Sequence, residues 1–357
     1  MKKSVYIIFL IGFNVCGQIK IIDNTTLKPI SMVYVISSQG SIFGVSDING
    51  LIAINKSLIN NTEKIELSHT SYQKKIINTK NFSKLLIIKL KENITILNEV
   101  TISSKINKPD YLVLKGYYRS YQLDNNIPKA FSDGIVEYYI SINNNRKLKF
   151  NLLENRSFKN NLLFDRIYKK KEINTENTTG PPYIEKKILL KELKNDIVYQ
   201  NNDSVILNAN NTIIGYKTLN PKNKTIKIHI DLNTPERSKT KKLLNRTFKF
   251  TNVFITETYK SNLDNKSNLL SREKYVKRII HQKNKDSVIV ESLRQFYVLE
   301  KKYASKIELK HTPTSSYFGP HKTKYSTKYW ENLKQYNIPE LPESISKLLG
   351  TKLNLDK

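Results

Sequence analysis

The run Thr26-Leu27-Lys28-Pro29-Ile30-Ser31-Met32-Val33-Tyr34-Val35-Ile36, followed by Gly44-Val45-Ser46-Asp47-Ile48-Asn49-Gly50, decides how the first part of the chain folds. Thr26 and Pro29 belong to a turn, because Thr and Asx side chains bond the local backbone and proline fixes φ. The β-branched and aromatic residues from Ile30 to Ile36 then suit a strand. Asp47-Ile48-Asn49-Gly50 reads as a second turn, closed by a glycine that accepts positive φ. Outward from these, Ile19-Lys20-Ile21-Ile22 leads into the first turn and Leu51-Ile52-Ala53-Ile54 leaves the second. Further runs at 64–68, 74–78, 85–90 and 94–102 bring the count to seven or so short strands with turn signals between them. That spacing predicts a β-sandwich over residues 18–103.

An ordered set of landmarks runs through this region: Asp23, Thr26, Pro29 and Ile30, then Val33 and Val35, then Ser46, Asp47 and Gly50, then Ser68 and Tyr72. On these residues the segment resembles the carboxypeptidase regulatory-like domain found at the front of many Bacteroidetes cell-envelope proteins. The resemblance covers about a quarter of the chain and implies a seven-stranded, transthyretin-like (prealbumin-like) sandwich acting as scaffold or docking module. Ser71 departs from the pattern, standing where that family places a glycine before the tyrosine. Pro29, Asp47 and Gly50 are expected to define turns, with no ligand assigned to them.

Lys2 and Lys3 precede an apolar run over 5–13, and Val15-Cys16-Gly17 leads to an expected cut between Gly17 and Gln18. This is the layout of a secretory signal peptide over residues 1–17. The run is far short of the roughly 20 residues a spanning helix needs. The protein is therefore expected to be exported to the periplasm, outer membrane or cell surface, with membrane association peripheral at most. A lipidated Cys16 is the competing reading, although Val15 stands where such signals carry a small residue. Cys16 is the single cysteine, so the exported chain is not a disulfide scaffold.

The formal net charge is +29. Residues 104–357 hold 48 Lys or Arg against 25 Asp or Glu, a local excess of +23. Such an excess attracts anionic partners through a long-range field that salt weakens. An envelope protein, an anionic glycan or lipopolysaccharide is expected as partner rather than nucleic acid. Lys, Asn and Ile crowd the whole chain, so compositional drift on solvated faces accounts for part of the excess.

A zinc carboxypeptidase needs three protein ligands around an open position, and the histidines do not supply the spacing. His69, His229, His281, His311 and His321 are scattered, none has Glu at its third following position, and no His-Glu-x-x-His occurs. Neither a Gly-x-Ser-x-Gly elbow, a phosphate loop nor a dinucleotide fingerprint is present. No catalytic residue, cofactor or metal is expected. The alternation Ile226, Ile228, Ile230 against Lys227, His229, Asp231 predicts a strand with His229 on its wet face.

Ile96-Leu97-Asn98-Glu99-Val100-Thr101-Ile102 resembles the stretch that follows the same module in TonB-dependent receptors and engages a partner by strand addition. Glu99 and Val100 are candidate partner-binding residues on that ground; a last edge strand is the plainer reading. A linker is expected over 104–112. Beyond it, over 113–357, strands are expected at 135–140, 146–152, 184–190, 204–207, 212–216, 247–259, 275–282, 287–292 and 304–309, in a long antiparallel sheet with one apolar and one wet face. Tyr117-Tyr118-Arg119-Ser120-Tyr121 weakly resembles a segment that follows the module in other exported Bacteroidetes proteins. Thr234-Pro235-Glu236 signals a short helix within 231–244. Near the C-terminus, Tyr329 and Trp330 are candidate partner-binding aromatics among basic residues; with Leu333 they also suit a helical stripe packed on the sheet. A short helix is expected at 343–349.

These readings point to a mainly β protein: a noncatalytic envelope or surface component whose basic second region binds a glycan, lipid or protein. An accessory role in TonB-dependent uptake and a hydrolase with an unrecognised carboxylate site in 113–357 remain alternatives.

Overall fold

The computed structural model describes residues 19–52, 54, 59, 61–82, 86–93, 109–142, 147–169, 172–185, 197–198, 204–207, 212–220, 223–233, 238–260 and 266–356. The chain is mostly β. The first seven strands are β1 (Ile19–Asp23), β2 (Tyr34–Ser37), β3 (Ile42–Val45), β4 (Leu51–Ile52), β5 (Lys64–His69), β6 (Tyr72–Asn78) and β7 (Ile87–Leu90), with the one-turn helix α1 (Thr79–Phe82) before β7. They form two sheets, ordered β4-β1-β7 and β3-β2-β5-β6. The pair β1 and β7 runs parallel, and the other pairs are antiparallel. Both sheets contribute to one apolar cluster, including Ile21, Val35, Leu67, Phe82 and Ile88. Gly50 holds φ at +72°, and a Cβ there would stand 2.4 Å from the Ile21 carbonyl oxygen. The turn therefore demands glycine twice over, by conformation and by space.

The second region is a single antiparallel sheet of twelve strands among the described residues. One meander comprises β8 (Tyr111–Asp124), β9 (Ile127–Ser141) and β10 (Lys149–Lys159), followed by helix α2 (Asn161–Tyr168). The other comprises β11 (Ile197–Val198), β12 (Ser204–Leu207), β13 (Ile213–Asn220), β14 (Thr225–Asp231), β15 (Lys241–Leu243), β16 (Arg246–Lys260), β17 (Leu269–Gln282) and β18 (Lys285–Ala304). The two meanders join where β18 pairs with β8, from Val290 opposite Asp124 to Ala304 opposite Tyr111. Helix α3 (Glu343–Ser346) and strand β19 (Asn354–Leu355) follow, the latter closing on the edge strand β10. Among the described residues no helix is long and apolar enough to cross a membrane.

Both faces of this sheet are covered. On one face, Leu114, Tyr118, Tyr138, Phe150, Ile206, Ile228 and Phe296 belong to a cluster that extends from β10 to β12. On the other, Tyr121, Phe131, Phe254 and Tyr275 pack against Met32, Tyr34 and Ile36 of the first region and Ile345 and Leu348 of the C-terminal segment. A polar latch crosses the same junction. The Tyr34 hydroxyl donates to Glu273 Oε1 (2.6 Å), while Gln295 Nε2 donates to Oε2 of the same carboxylate (2.7 Å). The Ser344 hydroxyl donates to Glu66 on β5 (3.0 Å). The sandwich is thus seated on the sheet.

That seating corrects several expectations. The face carrying Lys227 and His229 is covered rather than wet: His229 is 5% exposed, and Lys227 Nζ donates to Ser71 of the first region (2.7 Å). Two-residue periodicity told the faces of β14 apart but not what lay on them. Strand β8 begins at Tyr111, inside the expected 104–112 linker, and residues 104–108 lie outside the described residues. Where a helix was expected within 231–244, the described part forms β15 and its hairpin with β16, while 234–237 lie outside. Ile184 and Glu185 are irregular rather than strand, and 186–190 lie outside the described residues. Strand β18 ends at Ala304, and residues 306–309 form turns rather than strand. Tyr329 to Tyr336 forms two short 3-10 helices instead of one α-helical stripe.

Candidate functional site

Alternation along β17 places Arg272, Lys274, Val276 and Arg278 on one face, with Glu273, Tyr275 and Lys277 on the other. The inter-strand register adds Val290, Ser292 and Arg294 from β18 and Phe250 from β16 to the first face. Together they line a cavity of about 190 Å³, roofed by Thr178, Pro182 and Tyr183. A cavity of about 150 Å³ is enough for a benzene-sized group. The lining carries four cations and no carboxylate.

The roof is an irregular segment, residues 172–185, fixed by side chains of the sheet. Ser120 donates to the Gly180 carbonyl (2.9 Å), Gln122 to that of Glu176 (3.0 Å) and Tyr138 to that of Pro182 (2.6 Å). The Thr178 amide returns a bond to Gln122 Oε1 (2.7 Å). Polar residues in a buried sheet thus satisfy the backbone that crosses them, as a buried loop requires. Beneath it, the fully buried Lys129 ammonium pairs with Asp124 (3.0 Å) and donates to the Thr175 carbonyl (2.8 Å).

The four cations of the lining are held differently. Arg272 is neutralised: its guanidinium pairs with Glu257, which also binds Lys266 (3.0 Å), and reaches Glu185 (3.3 Å). Burial works to raise the Glu257 carboxyl, but Lys266 and Arg272 outweigh it and hold the group below its ordinary value. Lys274 stands directly opposite Arg294, and Arg278 stands opposite Phe250 and Val290. Burial pushes the Arg278 guanidinium down, countered by the charges of Glu176 and Asp124. Burial also lowers Arg294, and the neighbouring charge of Arg278 lowers it further. Neither Arg278 nor Arg294 has a hydrogen bond or ion pair among the described residues. The cavity therefore concentrates positive charge that the chain itself compensates only in part.

A smaller space of about 40 Å³ lies at the junction between sandwich and sheet, beside Tyr34, His69, Arg119 and Pro342. It has room for about one water. Among the described residues no group of three or more His, Cys, Asp or Glu side chains is placed to hold a metal ion.

None of the residues singled out by the sequence lines the larger cavity. Gly17, Gln18, Glu99 and Val100 lie outside the described residues. Pro29 bridges to Ile22, and Asp47 Oδ1 accepts from the amides of Asn49 (2.9 Å) and Leu51 (2.8 Å). Tyr329 is buried with its hydroxyl donating to Asp133 Oδ1 (2.8 Å), and the Trp330 ring lies 3.8 Å from the Arg156 guanidinium carbon. Both aromatics are held by the chain's own sheet. The cationic lining was missed although its signal is present: Arg272-x-Lys274-x-Val276-x-Arg278 carries three cations at strand spacing. In a chain with 60 Lys and Arg such a pattern does not stand out until the roof segment is seen to cover it.

No family model and no curated protein matches this chain. Among solved structures, a chain described as "lipid-protein interactions in lipovitellin" is similar at 10% identity and a TM-score of 0.30. That likeness covers 61% of this chain and 27% of the other, so this chain spans far less than the whole of that protein.

Proposed function

We propose that the protein is a noncatalytic binding component of the cell envelope, in which the large sheet takes up a compact anionic group, phosphate or carboxylate, attached to an apolar body. One observation carries this reading. Lys274, Arg278 and Arg294 converge on a cavity whose remaining walls include Phe250, Val276, Val290, Pro182 and Tyr183, with no carboxylate in the lining. Guanidinium groups suit phosphate and carboxylate because their planar fork matches both geometrically. The apolar walls favour a ligand with a hydrophobic portion over a bare sugar acid. Export is supported by Lys2, Lys3 and the apolar run after them. The scaffold role of the first region is supported by its resemblance to the regulatory-like module and its seating on the sheet away from the cavity.

Calorimetric titration of the full chain with octyl phosphate, octanoate and octyl glucoside tests the proposal. Octyl phosphate and octanoate are expected to bind one to one, and octyl glucoside at least tenfold more weakly. Arg294→Gln and Arg278→Gln are each expected to weaken the two anions tenfold or more. Equal binding of the neutral glucoside, or unchanged anion binding in both variants, overturns it.

A further inference from the structure

The hairpin joining β15 to β16 presents an unusual tip. Leu243 pairs with Arg246, leaving Leu244 and Asn245 as the two-residue loop. Leu243 is 64% exposed and Leu244 86% exposed. Leu244 also holds φ at +53°, a left-handed conformation that loops of this kind reserve for Gly or Asn. A bulky residue there is an outlier with a backbone cost. The tip thus gives up conformational ease in order to hold a leucine in water, although the next residue is an asparagine.

The flanks share one sign of charge. From Ser238 to Phe250 there are five cations, Lys239, Lys241, Lys242, Arg246 and Lys249, and no acidic residue. The first three are exposed and make no ion pair among the described residues. Arg246 is used differently: it flanks the tip and donates to the Asn174 carbonyl (2.9 Å), so the loop end of the hairpin is tied to the segment that roofs the cavity. The register puts the start of β16, the β17–β18 turn, the β8–β9 turn and the end of β10 at one end of the sheet. Helix α2 follows β10 directly and adds exposed Leu162 (78%) and Tyr168 (77%) to that end.

We infer that this end of the sheet docks on an anionic lipid bilayer, with Leu243 and Leu244 entering the interface and Lys239, Lys241 and Lys242 meeting the headgroups. Exposed leucines framed by lysines have the chemistry of a peripheral membrane anchor: the apolar tip leaves water while the cations stay at headgroup level. Each lysine near such a surface contributes on the order of fivefold in affinity, an effect that added salt removes. The inference stands on the hairpin and not on the cavity.

Sedimentation of the full chain with vesicles tests it, using phosphatidylcholine vesicles with and without phosphatidylglycerol. Wild type is expected to sediment with the anionic vesicles and to be released by salt. Leu243→Ser with Leu244→Asn is expected to cut binding at least tenfold. Asn suits the left-handed turn, so this variant keeps its thermal midpoint and the loss is not one of folding. Lys241→Gln with Lys242→Gln is expected to cut binding to anionic vesicles by a similar factor. Arg294→Gln, inside the cavity, is expected to leave vesicle binding unchanged. The inference is overturned if the leucine variant binds as wild type does, if neutral and anionic vesicles bind equally, or if Arg294→Gln abolishes vesicle binding while the tip variants retain it.

Discussion

Lys274 on β17 and Arg294 on β18 occupy directly opposed positions in the sheet, so two cations share one cross-strand pair. Like charges so placed destabilise a sheet by roughly 0.2–1 kcal/mol relative to a neutral pair. Arg294→Met is therefore expected to raise stability in urea denaturation at low salt by about 0.5 kcal/mol. The gain should shrink when octyl phosphate is present, because the ligand then stabilises wild type more than the variant, which binds it more weakly. A clear loss of stability at low salt would mean that the guanidinium supports the fold rather than a ligand.

Glu257 plays the opposite part. Its fully buried carboxylate holds Arg272 and Lys266 and accepts from the Tyr259 hydroxyl. Removing one partner of a buried ion network leaves charge without compensation, which costs about 3–5 kcal/mol. Glu257→Gln is expected to lose that much in chemical denaturation. Any loss of octyl phosphate affinity should vanish once the variant is measured well below its unfolding transition. A cost below about 1 kcal/mol would show that Arg272 and Lys266 find other anions.

Much of the fold was legible, and the reasons for the remainder are local. The turns at Pro29 and Asp47 to Gly50 could be read because proline and glycine restrict φ whatever surrounds them. Parts of the long strands β9, β16, β17 and β18 showed as β-rich runs, although their lengths did not, and β8 was not foreseen as a strand at all; polar residues such as Ser120, Gln122, Ser132 and Asp133 inside these strands looked like loop or turn residues. Ser120, Gln122 and Lys129 are buried polar residues whose partners, at residues 175–180, lie some fifty residues ahead in sequence. No local pattern encodes such a pairing. For the same reason His229 looked exposed: the alternation was right, but its cover comes from the sandwich about 160 residues earlier. The cavity depends on both effects at once, a strand face and a distant roof, so its cations merged with the general basic composition.

The Tyr34 hydroxyl bond to Glu273 joins sandwich and sheet beside an apolar cluster that draws on both regions, so the two are expected to unfold as one cooperative unit. Burial raises the Glu273 carboxyl, opposed by the bonds from Tyr34 and Gln295. Tyr34→Phe removes one of those bonds and leaves a buried acceptor less satisfied, at a cost of about 1–3 kcal/mol. Calorimetry is expected to show a single transition for wild type and a single, lower transition for the variant. Two separate transitions in wild type would contradict the shared core.

His229 makes stability depend on pH in the mildly acid range. Its ring is buried against Phe254, with Nδ1 bonded to the Thr256 hydroxyl (2.9 Å) and Nε2 buried without a hydrogen-bond partner among the described residues. Burial, then the nearby Lys227 charge, push the imidazole down from 6.5 to about 3. The unfolded chain therefore binds a proton below about pH 6.5 that the folded chain refuses until about pH 3, so stability falls as pH falls through that window and is unaffected above it. His69 shares this direction, whereas Asp231, raised by burial to about 6, acts oppositely: its contribution weakens as pH rises from about 4 to 6. The difference between wild type and His229→Gln isolates the single ring. Each pH unit inside the window is worth about 1.4 kcal/mol. Between pH 7 and pH 5 wild type is expected to lose on the order of 2 kcal/mol more than the variant, measured by urea denaturation at both pH values. Equal losses would place His229 in water and its face of β14 outside the junction with the sandwich.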